Sequence, residues 1–592
     1  MTARPTLAEI HAALRAPVPE NYPSYPIAVL SNVTVSALTP MLQYLCRREG
    51  LAATVEIGGF DTVLQDALGG RPDLINAATA CVVVILKLDV LSPALAEGFT
   101  ALSPDQVGDE VQTVLDYLER LLRGLRERSG APILLHGFET PLYPLYGALD
   151  AQGGLSQADT VAELNRLAKQ LLLQVGNGFF VDADLCLRRL GADRFYDSRT
   201  WQLARAPYSR EACHDLAAEQ VRLIRALCGK ARKCLVLDCD NVLWGGVIGE
   251  DGLDGIKLGQ SHPGSCYRDF QRRVLSLSQR GVILALVSKN NEADVWEVFD
   301  KHPDMVLKRE HISGWRIDWA NKADNLRALA AQLNIGLDSL VFIDDSPFEV
   351  ELVRAELPMV AVLAASVEAP AGNLDLLARC SLFDTVSLSE EDRRRGALYR
   401  ADSERVSSRT AFADLDTYLR SLEMRLDIAR AQSFDVPRLS QLTQRTNQFN
   451  LTTRRYSEDD IRALAATATI FSLSVADRFG EMGLVGCAIV RMEDNGDAVL
   501  DTLLMSCRVL GRQVEDAFLA VLAEQAKAAG AKRLIGAYRP TAKNGQVANF
   551  YADRGFSPLD QDGDERRFAL DLADGGLSRP SVFAAIEVRT AP

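Results

Sequence analysis

Residues 235–246 read LVLDCDNVLWGG. Three aliphatic residues run straight into two aspartates, Asp238 and Asp240, with the thiol of Cys239 between them and a turn-forming asparagine after. A short continuous apolar run of this kind suits a strand of a parallel sheet covered on both faces. Such sheets gather ligand-binding groups at the carboxyl ends of their strands. The stretch therefore predicts a parallel α/β domain with acids at its working edge, and it leaves the thiol to be explained.

Two more apolar runs end in polar chemistry. GVILALVS (281–288) ends at Ser288 and is followed by Lys289, Asn290 and Asn291, and SLVFIDD (339–345) ends at Asp344 and Asp345. Between them IDWANKADN places Lys322 at the start of a helix. Four carboxylates at one edge repel one another, and a divalent cation relieves the repulsion; an all-oxygen set suits Mg²⁺. Beside such an ion, one aspartate can attack a phosphoryl group and a second can protonate the leaving oxygen. A serine hydroxyl and a lysine ammonium can hold the phosphoryl oxygens. Only 49 residues lie between Asp238 and Ser288 and 33 between Ser288 and Lys322. Neither gap holds a separate lid domain, which predicts an open site able to take a large substrate.

The order Asp238-x-Asp240, Ser288, Lys322, Asp344-Asp345 resembles the four motifs of the haloacid dehalogenase superfamily. The resemblance implies Asp238 as nucleophile, Asp240 as general acid/base and Ser288 and Lys322 as phosphate ligands. It also implies a metal shell drawn from Asp238, the Asp240 carbonyl, Asp344 and Asp345. Longer stretches, LDCDNVLWGGVIGEDGLDGIKLG, GWRIDWANKADNLRALAAQLNIGLDSLVFIDDSPFEVELVRAELP and QLTQRTNQFNLTTRRYS, resemble the FkbH-like glyceryltransferase/phosphatases of polyketide-type assembly lines. That likeness implies dephosphorylation of 1,3-bisphosphoglycerate and delivery of the glyceryl unit to the phosphopantetheine thiol of an acyl carrier protein. One phosphate of that donor is an acyl phosphate, so Cys239 becomes the candidate acyl carrier, although neighbouring carboxylates disfavour its thiolate. The alternatives are a plain phosphatase with Cys239 as filler beneath the strand end, and a non-catalytic protein that docks carrier proteins.

The expected architecture is α/β and multidomain: a haloacid dehalogenase-type Rossmann-like core flanked by two further domains. Residues 1–225 alternate apolar strands such as IAVLSN (27–32) and CVVVILKLD (81–89) with helical stretches, and resemble a degenerate SGNH-hydrolase-type domain. Ser31-Asn32 stands where such a fold places a nucleophile, but Asp197-Ser-Arg-Thr200 lacks the expected histidine, so this domain reads as catalytically silent. The catalytic domain is set at 226–375 and a charged linker at 376–409. A GNAT-like α+β domain follows at 410–575, and a poorly anchored tail at 576–592. In the third domain SCRVLGRQVEDAFL (506–519) resembles the GNAT loop that presents backbone N–H groups to a pyrophosphate, naming Arg508 and Gly511 as cofactor-binding. Gln513 replaces the expected small residue, which favours binding of a pantetheine arm over acetyl transfer. Thr446 to Asn450 (TNQFN) reads equally as a substrate-facing segment and as a helix-ending loop.

A formal charge of −14 without any basic block argues against nucleic-acid binding. The longest purely apolar run, ACVVVIL (80–86), is too short to cross a bilayer, and MTARPTLAEIHAALRAPVPENY lacks the core of a signal peptide. Eleven scattered cysteines without a CxxC pair suit reduced thiols. The expectation is a cytoplasmic enzyme.

Overall fold

The structure is a computed structural model that describes residues 4–388, 396, 398–401, 405, 414–541, 544–573 and 577–589. The chain divides into two compact units, Met1–Arg225 and Ala226–Pro592.

The first unit is built on five parallel strands in the order β2-β1-β3-β4-β5. These are β1 (Ser24–Ser31), β2 (Ala52–Ile57), β3 (Cys81–Ile85), β4 (Ile133–His136) and β5 (Gly178–Val181). Helices Pro104–Arg128 and Gln157–Val175 bury Leu118, Leu121, Leu122 and Leu164 in one core with Val82, Val84, Ile133 and Leu135. Each long helix opens on a serine cap, Ser103 and Ser156, whose hydroxyl accepts from the third backbone N–H. Ser31 is buried, and its hydroxyl accepts from Val33 N at 3.2 Å. Asp197 caps helix Ser198–Ala204, accepting from the N–H groups of Arg199 and Thr200.

The second unit carries two sheets. Its parallel sheet has the order β10-β9-β6-β7-β8. The strands are β6 (Cys234–Leu237), β7 (Ile283–Ser288), β8 (Ile312–Ile317), β9 (Leu340–Asp344) and β10 (Ala361–Ala364). Successive side chains point to opposite faces of a strand. Leu235, Leu237, Leu284, Leu286, Val341 and Ile343 therefore enter one core, while Cys234, Val236, Ile283, Ala285, Val287, Leu340 and Phe342 enter the other. Both faces are dry, which explains why these strands show no polar alternation.

The other sheet has eight strands in the order β16-β17-β15-β14-β13-β12-β11-β18. They are β11 (Arg425–Arg430), β12 (Thr469–Asp477), β13 (Gly480–Met492), β14 (Asp497–Met505), β15 (Arg533–Tyr538), β16 (Ser557–Asp562), β17 (Glu565–Asp571) and β18 (Ala585–Arg589). Its pairings are mixed, parallel for β14 with β15 and for β11 with β18, and antiparallel elsewhere. Helix Val514–Ala528 supplies Phe518, Leu519, Val521 and Leu522 to its core.

Two expectations are corrected. The stretch read as a loose tail contributes β18, which pairs with β11 from Arg425↔Ala585 to Ala429↔Arg589, so its backbone is held by a strand ladder. The charged linker at 376–409 lies in part outside the described residues, yet Arg405 within it is 1% exposed and grips Asp477 of β12 through two bonds of 2.6 and 2.7 Å. A guanidinium so placed belongs to a packed domain, since an unpaired buried charge would be strongly unfavourable. Among the described residues no helix is long and apolar enough to cross a membrane.

Fully buried His136 gives the first unit a pH dependence. Burial pulls its pKa from 6.5 to about 3, and Gln220 lies 2.8 Å from its Nε2. Above about pH 6.5 both folded and unfolded states hold the ring neutral, so its contribution is constant; as pH falls toward 3 only the unfolded state takes up the proton and stability is lost. The denaturation midpoint of the first unit should fall between about pH 7 and pH 4 more steeply in the wild type than in His136→Gln, as read by chemical denaturation. Parallel pH slopes would show that the ring protonates without unfolding.

Candidate active site

The site is assembled by strand parity. Counting on from the β6 pattern, Asp238 continues the face of Cys234 and Val236, and Asp344 continues that of Leu340 and Phe342. Helix Lys322–Gln332 packs on that same face through Ala323, Leu326 and Leu329. Asn321 caps it, its side chain accepting from Ala323 N at 2.7 Å, which fixes Lys322 as the first helical residue.

Lys322 is 3% exposed, and its ammonium donates to Asp238 Oδ2 at 2.9 Å and to Asp344 Oδ2 at 2.5 Å. The other Asp238 oxygen accepts from Cys239 N at 2.8 Å, and the other Asp344 oxygen accepts from Ser346 N at 2.9 Å. Asp345 hydrogen-bonds Asn241, which sits at φ +57°, a left-handed conformation that asparagine tolerates. Carboxylate oxygens of Asp238, Asp344 and Asp345 lie within 4.8 Å of one another.

Crowded acids resist ionisation. Burial first, and the Asp238 charge second, raise Asp344 to about 6; the same two causes raise Asp345. The two acids raise Lys322 against the desolvation that would lower it. Three convergent hard-oxygen donors that repel one another suit a small divalent cation, so the residues present fit such a group.

Asp240 stands apart from this trio. Its Oδ1 accepts from Trp244 Nε1 at 2.8 Å and Ile248 N at 3.1 Å, and its Oδ2 accepts from Asn290 Nδ2 at 2.8 Å. Burial outweighs these bonds and raises its pKa, so it holds a proton more readily than an exposed aspartate. Asn290 Nδ2 also reaches Ser288 Oγ at 3.5 Å, joining the ends of β6 and β7. Asn290 and Trp244 have no role in the sequence reading; their only signals are the position of Asn290 just past a strand and of Trp244 four residues after Asp240.

The expectation that Cys239 presents a nucleophilic thiol is not met. Its parity is that of Leu235 and Leu237, and it is 0% exposed within their core. Burial first, then Asp238, push its pKa well above the ordinary thiol range, although a Ser288 hydrogen bond partly opposes them. Ser288 shares that face and is itself buried.

The candidate cofactor residues of the third domain are differently placed. Gly511 has φ +72° with open space where a Cβ would stand. Arg508 is 7% exposed, its Nε reaching Ser506 Oγ at 3.3 Å. Gln513, at φ +62°, precedes helix Val514–Ala528 and donates to Asp416 Oδ1 at 3.1 Å. In the TNQFN segment Phe449 packs edge-on to Phe550 with centroids 5.1 Å apart, and fully buried Asn450 accepts from Thr453 N at 2.8 Å.

No protein-family model and no curated protein matches this sequence. Among solved structures, the chain is similar to the N-terminal part of the protein BF1531 from Bacteroides fragilis, containing a phosphatase domain complexed with Mg. The two are 26% identical at a TM-score of 0.57, over 65% of this chain and all of that one. The ribosomal-protein-S18-alanine N-acetyltransferase of Escherichia coli (19% identical) and the PaiA N-acetyltransferase of Thermoplasma acidophilum in complex with coenzyme A (14%) each cover 25% of this chain and 94% and 98% of their own. Their TM-scores of 0.20 are too low to carry an argument.

Iodoacetamide labelling followed by peptide mapping checks the thiol's placement. Cys239 should label on the order of 10²-fold more slowly than half-buried Cys266 in the folded protein, because both access and thiolate are scarce. Comparable rates would mean that the Asp238–Gly246 loop opens in solution.

Proposed function

We propose that this protein is a Mg²⁺-dependent phosphatase acting through an aspartyl-phosphate at Asp238. One observation carries the reading: three acids at one sheet edge with Lys322 donating to two of them. The similarity to the Mg-complexed phosphatase domain supports it. Asp238, Asp344 and Asp345 would hold the cation, which offsets the charge of the incoming phosphoryl oxygens.

The steps belong to the protein's own groups. An Asp238 oxygen attacks phosphorus as the leaving oxygen departs on the opposite side, and Asp240, whose pKa burial raises, gives that oxygen its proton. The resulting carboxylate then takes a proton from the water that hydrolyses the acyl-phosphate bond, so nucleophile and acid are both restored. Asn290 and Trp244 orient Asp240, and Lys322 steadies Asp238 and the phosphoryl charge.

The finer reading is that the substrate is 1,3-bisphosphoglycerate and that a glyceryl unit goes to the phosphopantetheine thiol of an acyl carrier protein. The extended resemblance of three sequence stretches supports it. The carrier thiol attacks the acyl carbon and the acyl phosphate leaves as inorganic phosphate, while Asp238 works on the phosphate ester. With Cys239 buried, the carrier's own thiol is the acceptor in this scheme.

Two measurements test these readings. With acetyl phosphate and Mg²⁺, Asp238→Asn should lower phosphate release by about 10³-fold or more and Asp240→Asn by about 10²–10⁴-fold, and EDTA should abolish it reversibly. An unchanged rate in Asp238→Asn removes the nucleophile. With 1,3-bisphosphoglycerate and a carrier protein, intact-mass spectrometry should show a glyceryl adduct on the carrier, retained with Cys239→Ala. Phosphate release without an adduct leaves the plain phosphatase, and loss of the adduct in Cys239→Ala restores the thiol as an intermediate carrier.

A further inference from the structure

The loop that leaves β7 carries three side chains with different destinations. Ser288, at the strand's end, is the expected phosphate ligand, and its carbonyl accepts from Asp318 N at 3.1 Å. Asn290 donates to Asp240 Oδ2 at 2.8 Å. Lys289, between them, goes elsewhere: its ammonium donates to Glu349 Oε1 at 2.7 Å.

Glu349 stands in the first turn of helix Pro347–Glu356, which begins two residues after Asp345. That helix is tied to the acid trio through its cap. Ser346 N donates to Asp344 Oδ1 at 2.9 Å, and Glu349 N reaches Ser346 Oγ at 3.5 Å. In the sheet, β6 lies between β7 and β9. With neighbouring strands about 4.8 Å apart, the ends of β7 and β9 stand about 10 Å from each other. The Lys289–Glu349 pair therefore reaches across the end of β6, the strand that leads into Asp238 and Asp240, and joins the loops on either side of it.

The pair constrains more than it stabilises. Glu349 is 5% exposed, and its Oε2 is buried with no hydrogen-bond partner among the described residues. A buried acceptor left unmade costs free energy, and its retention calls for a reason other than stability. The Lys289 side chain is 36% exposed, and without Glu349 its flexible stem would sample solvent and release the loop that carries it.

We propose that the Lys289–Glu349 pair is a strut that positions the general acid. It pins loop 288–290 to the helix that follows Asp344 and Asp345, which keeps the Asn290 amide on Asp240 and Asp240 aimed at the leaving oxygen. Both residues act through Asn290 and are positioning residues. This role rests on the phosphatase reading and deepens it: the loop that presents Ser288 and the helix behind the acid trio move as one piece.

Leaving groups of different basicity test the strut. As Asp238 takes the phosphoryl group, Asp240 gives its proton to the departing phenolate oxygen. Phenyl phosphate needs that proton far more than 4-nitrophenyl phosphate, whose leaving group is a much weaker base, and kcat/KM reports the step of departure. With Mg²⁺, Lys289→Met and Glu349→Gln should each lower kcat/KM on phenyl phosphate about tenfold or more beyond their loss on 4-nitrophenyl phosphate. The double variant should fall no further than either single one, because all three break the same link. Lys289→Arg, which still pairs with Glu349, should stay within about threefold of the wild type on both substrates. Turnover of 4-nitrophenyl phosphate shows that a variant is folded, and Lys289→Met, at a partly exposed position, decides the matter if Glu349→Gln folds poorly. Equal losses on the two substrates, or losses that add in the double variant, overturn the strut and leave the phosphatase reading standing. A wild type inert on both substrates overturns that reading and the strut with it.

Discussion

The Lys322 ammonium between Asp238 and Asp344 is the contact on which the second unit's chemistry depends. Two carboxylates at the ends of neighbouring strands, both nearly buried, would repel and lose their ionisation without a cation between them. A buried ion pair of this kind adds little net stability, since desolvation consumes most of the attraction. Its value lies in holding acids ionised and aimed at a common point. That in turn rests on ordinary packing: the lysine reaches the pair because its helix is capped by Asn321 and seated on the sheet by Ala323, Leu326 and Leu329.

Much of this was legible in the residues. The runs ending at Leu237, Ser288 and Asp344 announced parallel strands, and each polar end fell at the carboxyl edge. The parity of the strand is equally written there: two residues beyond Leu237, Cys239 returns to the apolar face while Asp238 takes the other. The resemblance pointed to the thiol as reactive, and side-chain alternation points to it as core. Asn290 and Trp244 were illegible for another reason. Their importance lies in bonds to Asp240 made across 50 and 4 residues, and neither amide nor indole carries a spacing signal of its own.

The third domain shows how much a local motif leaves open. Gly511 does adopt the left-handed backbone that a tight loop requires. Arg508, three residues earlier, turns inward, because arginine stems bury readily and nothing in the sequence distinguishes an inward guanidinium from an outward one. The hydrophilic look of the 376–409 stretch hid Arg405 in the same way. In the first unit Asp197, in the stretch that lacks the histidine of an Asp-x-x-His, serves as a helix cap.

The pairing of β18 with β11 has a consequence for how the chain comes into being. Residues near 425 wait for partners near 585, so during synthesis the β11 edge stays open until almost the whole domain has left the ribosome. An unpaired edge is the usual place for one chain to recruit another, and the strand that closes it comes latest of all. Nascent or prematurely ended chains of this protein are therefore the forms most exposed to self-association.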